Sequence, residues 1–167
     1  MQTKLEPTLA VVAQAKTQIE GSTARLLHLL SFVPDEKLDW SPSATSKSVV
    51  RLVTHIARSD SFFANVIAGI VPEVMPTPEE FLADLHVADP SITTQKSAVA
   101  VLQESMAALV VALDGVTSKT LEAPRVSPVG THRTWFWIGF ATEHRTVHTG
   151  QLEYLQTIWG DLDNHFS

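Results

Sequence analysis

The 167-residue chain carries a formal net charge of −6 and contains no cysteine. That composition excludes a disulfide framework, a thiolate metal site and a protein-borne thiol nucleophile, so any metal ion must sit on His, Asp or Glu. The twelve Lys and Arg residues are scattered, which argues against a nucleic-acid partner, because phosphate binding rests on clustered positive charge.

The length suits one domain over residues 1–167 with a core large enough to need no staples. The opening Met1-Gln-Thr-Lys-Leu-Glu-Pro7 lacks the apolar stretch of a signal peptide. The longest apolar run, Met106 to Leu113, is too short to cross a bilayer. A cytoplasmic protein without a membrane partner is the expectation.

Four segments carry apolar residues at helical spacing. From about Pro7 to Val33 the stripe reads Val12, Ala15, Ile19, Ser22, Leu26, Leu29 and Val33, with Pro34 as the stop. The second segment starts near Ser46 as N-cap and carries Val49, Leu52, Ile56, Ser59, Phe63, Val66 and Ile70 up to Pro72. A long connection follows, with Pro72, Pro76, Pro78 and Pro90, in which Pro78-Glu-Glu-Phe-Leu-Ala-Asp-Leu85 has the pattern of a short helix.

The third segment, opened by Ser91 or Thr93, repeats the stripe as Val99, Leu102, Met106, Leu109, Leu113 and Val116. The fourth, about Thr134 to Trp159, reads Trp137, Ala141, His144, His148, Gln151, Leu155 and Ile158 before Gly160. No strand alternation stands out. The pattern predicts an all-α four-helix bundle with a long, Pro-rich connection between helices 2 and 3, and that connection could cross the bundle to make helices 2 and 4 neighbours.

The polar middle of the fourth stripe carries the chemistry. His144 and His148 are one turn apart, so their side chains share a helix face and can share one metal ion. Two unsatisfied imidazoles on a buried face would each cost roughly 1–3 kcal/mol, so something must satisfy them. A carbonyl or carboxylate near each ring would do so as well as a metal. His55 lies at the flank of the second stripe, where it can face the pair or be an ordinary interior histidine. His28, His86, His132 and His165 read as surface or boundary residues, and Trp40 and Trp137 as core.

A zincin hydrolase needs Glu directly after its first histidine ligand, but Arg145 stands there and Glu143 precedes it. A di-iron bundle needs Glu-x-x-His twice, and the chain has no such set.

Three stretches make the chain resemble the DinB-like (YfiT-like) family of bacterial metalloenzymes. They are Leu29-Leu-Ser-Phe-Val-Pro-Asp-Glu-Lys-Leu-Asp-Trp-Ser-Pro42; Ser48-Val-Val-Arg-Leu-Val-Thr-His-Ile-Ala57 followed by Phe62-Phe-Ala-Asn-Val-Ile-Ala-Gly69; and His144-Arg-Thr-Val-His-Thr-Gly-Gln-Leu-Glu-Tyr-Leu155. The resemblance implies a single divalent metal ion on His55, His144 and His148, with zinc or nickel foremost and iron or manganese as alternatives. Gly150 would admit a neighbouring helix, and Gln151 would serve the site's outer layer.

It further implies a metal-dependent enzyme on a small-molecule substrate, of the thiol-dependent S-transferase type with a low-molecular-weight thiol as cosubstrate, and a homodimer. The alternatives are a metal-dependent hydrolase, with Glu143, Glu153 or Asp60 as general base, and a non-catalytic metal-binding stress protein. The family shares its name with a DNA polymerase, but no phosphate-cradling glycine loop or basic groove is present.

Overall fold

The computed structural model describes residues 7–165. Residues 1–6, on which the reading of the N-terminus rests, lie outside them. Four long helices form the bundle: α1 (Pro7–Leu30), α2 (Val49–Ala68), α4 (Gln95–Asp114) and α6 (Thr134–Ile158). Two short helices, α3 (Pro78–Asp84) and α5 (Ser118–Leu121), lie in the connections.

The boundaries follow local chemistry. Ser48, not Ser46, caps α2 by accepting from the Arg51 amide, and Gly69 ends the helix in the left-handed conformation at φ 78°. Thr77 and Glu80 form a capping box at the start of α3, with Pro78 at its first turn. Thr94, one residue past the expected start, caps α4. Helix α1 stops at Leu30, three residues short of expectation. There the Gln95 amide nitrogen reaches the carbonyls of Leu30, Ser31 and Val33 at 2.9–3.0 Å and holds the chain end of α1 against α4.

Around the bundle, α2 packs against α4 and α6, and α1 packs against the same two helices. Helices α1 and α2 are therefore diagonal, and the crossing connection makes α2 and α6 neighbours, as the length of that connection suggested. The expectation of no strands is corrected by a hairpin, β1 (Pro124–Ser127) with β2 (Gly130–Arg133), paired antiparallel. The left-handed Gly130 turns it, and with four residues per strand it is too short for alternation to show in the sequence.

The apolar interior falls into two clusters. One gathers Leu26, Leu29, Leu30, Leu52, Ile56, Leu102, Leu152 and their neighbours, with Trp40 partly buried against it. The other gathers Ile19, Phe63, Ile67, Leu109, Leu113, Trp137 and Ala141. Between them lies a polar layer to which each long helix gives one buried side chain: Thr23, Asp60, Ser105 and Arg145.

The expected stripes are displaced accordingly. Thr23 rather than Ser22 faces inward on α1, Ile70 is exposed, and on α6 the inward positions are Arg145, Leu152 and Gln156 rather than Gln151 and Ile158. By length and composition α4 is apolar enough to cross a membrane, which the run from Met106 to Leu113 alone does not reveal. Its inner residues, Ala98, Leu102, Leu109 and Leu113, are buried in the bundle core.

Candidate metal centre

Where α2 and α6 meet at mid-height, His55, His144 and His148 converge. Their ligand nitrogens lie within 4.8 Å of one another. The His144 Nε2 is 3.1 Å from His55 Nε2 and 3.0 Å from His148 Nε2. Two nitrogens each about 2.0–2.1 Å from one tetrahedral ion stand about 3.3 Å apart, so the three fit a shared cation.

The outer nitrogens decide which proton each ring carries. His55 Nδ1 lies 3.3 Å from the Leu85 carbonyl, and His148 Nδ1 lies 2.8 Å from Gln151 Oε1. Both oxygens can only accept, so both Nδ1 atoms carry the proton and both Nε2 atoms present lone pairs inward. Converging lone pairs repel one another unless a cation or a proton lies among them. His144 Nδ1 is buried with no partner, and its ring packs edge-on to Phe63 at a centroid distance of 5.4 Å.

Burial also keeps the rings neutral. Desolvation, then the charges of His148 and Lys47, pushes His55 down to about 4, against a smaller opposing effect of the Leu85 hydrogen bond. Desolvation, followed by the charges of His148, His55, Arg145 and Lys47, pushes His144 down to about 3. His148 is lowered too, chiefly by burial, with its Gln151 bond working the other way. At neutral pH three unprotonated imidazoles meet, and this donor set suits a divalent ion.

The Pro-rich connection contributes more than the sequence revealed. Leu85 orients His55, and the adjacent His86, read beforehand as an ordinary boundary residue, stacks on His55 with ring centroids 6.4 Å apart. The signal for it was present only as a histidine in a segment free to fold back onto α2.

The three acids considered as general bases go elsewhere. Asp60 and Arg145 form an ion pair with neither side chain exposed, and Arg145 Nε donates to Asp60 Oδ1 at 3.1 Å while Nη2 pairs with Oδ2. Thr23 Oγ1 accepts from Arg145 Nη1 at 2.7 Å, and Ser105 Oγ donates to Asp60 Oδ2 at 2.8 Å. Burial pushes the Asp60 carboxyl up from its ordinary value, and the guanidinium and the Ser105 hydroxyl act against that rise. Glu143 is exposed and Glu153 pairs with Arg25; both line a groove between α1 and α6 that none of the three histidines lines. Gly150 lies on that groove, and a Cβ built there meets nothing within 4 Å, so the expected close helix approach is absent.

A second cavity, of about 300 Å³, is lined by Pro42, Ser46, Lys47, Leu52, Gln151, Tyr154, Leu155 and Ile158; none of the three histidines lines it, and it meets the site through Gln151. Gln151 belongs to both places: its oxygen holds His148 and its side chain lines the cavity.

The fold recurs in solved structures. YfiT from Bacillus subtilis, described as a probable metal-dependent hydrolase with an unusual four-helix bundle topology, is 18% identical at a TM-score of 0.68, covering 96% of this chain and 94% of its own. The DinB-like protein YjoA, also from Bacillus subtilis, is 19% identical at a TM-score of 0.68, covering 92% of this chain and 96% of its own. A mycothiol-dependent maleylpyruvate isomerase is 16% identical at a TM-score of 0.65 over 84% of this chain, which spans only 60% of that larger protein. No curated protein sequence matches the chain. The DinB superfamily model matches residues 18–152, which include all three converging histidines, and the chain therefore belongs to the DinB superfamily.

Proposed function

We propose that the chain is a metal-dependent enzyme holding one divalent cation, zinc or nickel before iron or manganese, on His55, His144 and His148. The observation that carries this reading is the convergence of three Nε2 atoms, two of them stripped of their proton by fixed hydrogen bonds at Nδ1. A bound ion supplies Lewis acidity, enough to hold a thiol as thiolate near neutral pH. The protein's own residues do the rest. Leu85 and Gln151 orient two rings, Phe63 packs against the third, and the 300 Å³ cavity on the other side of Gln151 offers room for a small molecule.

The reaction is transfer of a low-molecular-weight thiol to, or within, an electrophilic compound. Lacking cysteine, the protein must take its sulfur from solution. The fold shared with a mycothiol-dependent isomerase supports this reading. The test is thiol binding and turnover by metal-loaded protein across panels of thiols and electrophiles; neither signal appearing, or both persisting in His144→Ala, would discard it.

Hydrolysis is the second reading, favoured by the likeness to YfiT along nearly the whole chain. It has no general base among the three acids considered, which leaves His86 as the titratable side chain stacked beside the site. Thiol-independent ester or amide cleavage that is lost in His144→Ala would establish it. A single domain that self-associates as a homodimer in the cytoplasm completes the proposal, with sedimentation in solution as the check on assembly.

A further inference from the structure

Lys47 stands half-buried one residue before the Ser48 cap of α2, on the wall of the 300 Å³ cavity. Among the described residues it has no carboxylate or hydrogen-bonding partner. Its charge reaches all three histidines. Arg145 acts on His144 alone and is itself paired with the Asp60 carboxylate, and His86 lies beside His55. With the imidazoles neutral and Arg145 paired to Asp60, Lys47 is the one uncompensated cation among these groups, and a divalent ion would add to it.

A half-buried ammonium with no carboxylate beside it, on the wall of an open cavity, is placed to receive an arriving anion. Gln151 lines the same cavity. Its oxygen is engaged by His148, whereas its amide nitrogen has no hydrogen-bond partner among the described residues and can donate into the same space. Of the remaining walls, Pro42, Leu52, Leu155 and Ile158 are apolar, while Ser46 and Tyr154 add hydroxyl groups.

We propose that this cavity is the substrate-recognition pocket of the metal centre and takes a small apolar compound bearing a carboxylate, held by the Lys47 ammonium and the Gln151 amide nitrogen. The proposal rests on the metal-enzyme reading for its function, not for its binding chemistry. It makes Lys47 the residue that sets substrate class: the carboxylate sits at the lysine, the apolar body lies along Leu52 and Leu155, and Gln151 connects the compound to His148.

The probe is phenylacetate, with neutral phenylacetamide as its isosteric control. Each is titrated calorimetrically into the full chain, zinc-loaded and chelator-treated. Lys47→Gln should weaken phenylacetate at least tenfold and leave phenylacetamide unchanged, whereas Lys47→Arg should stay within about threefold of the parent. The lysine-dependent difference should persist without zinc, which separates it from direct carboxylate binding to the metal.

A parent that binds phenylacetate no better than phenylacetamide, or not at all, overturns the proposal, as does a Lys47→Gln variant with parental affinity. Circular dichroism of the variants guards against unfolding. Zinc titration of the parent is scored separately. Failure to bind zinc alongside intact lysine-dependent discrimination sinks the metal reading alone, and the converse sinks this proposal alone.

Discussion

His148 gives its Nδ1 proton to Gln151 and His55 gives its own to the Leu85 carbonyl, so the lone pairs that face inward are set by groups one layer out. Outer-layer partners of this kind are worth roughly 10–100-fold in metal affinity. Gln151→Ala should weaken zinc by about that factor in a chelator competition, and His144→Ala should lose the ion outright. The pH response follows from the lowered proton affinities. In the unfolded chain the histidines titrate near 6.5, whereas in the folded metal-free protein His55 does so at about 4 and His144 at about 3. The unfolded state therefore binds more protons, and stability is fully present above about pH 6.5 and lost progressively as pH falls through 4 toward 3. Thermal melts of metal-free protein should show this acid loss, and a His55→Gln/His144→Gln variant should flatten it.

At the scale of elements, α6 was legible in part. The i, i+4 histidine pair declares itself because a helix has a fixed pitch, and His148 is indeed buried beside it. His55 depends on α2 and α6 becoming neighbours through a crossing connection, which no local pattern encodes. The family resemblance pointed to it. Arg145 stayed hidden for a different reason. A seam read by hydrophobicity passes over charged residues, and the burial of this one is explained by partners far away in sequence, Asp60 at 85 positions and Thr23 at 122. The hairpin was missed because four-residue strands carry too little alternation. Gly69 offers a test of element boundaries. Its φ of 78° is left-handed, and a Cβ there would run into the Arg125 guanidinium. Gly69→Ala should destabilise by about 1–2 kcal/mol in urea unfolding, more than the same change at exposed, unobstructed Gly21.

For the whole molecule, the layer of Thr23, Asp60, Ser105 and Arg145 fixes how four helices slide past one another, since each hydrogen bond spans a different helix pair. Asp60→Ala would leave a guanidinium buried and unpaired, a loss of about 3–5 kcal/mol. The double variant Asp60→Leu/Arg145→Met should recover most of that stability in denaturant melts, because two apolar chains carry no desolvation cost. The three imidazoles, next to the layer, should report any helix slippage in that double variant as weakened zinc binding. Metal itself should act on the whole fold: at a free concentration of 100 times the dissociation constant, an ion bound only by the native state adds about 2.7 kcal/mol, and a chelator should remove it.

His55 and His144 stand 89 positions apart. At about 5–20 residues per second, a growing chain exposes His55 roughly 4–18 s before His144 is made. Throughout that interval the first histidine has neither of its companions, and Arg145, which Asp60 requires, does not yet exist. The nascent bundle therefore cannot close its middle or capture an ion until its last long helix emerges. Metal loading is thereby coupled to the emergence of α6, and chains truncated before α6 carry an Asp60 without its guanidinium partner and no assembled site.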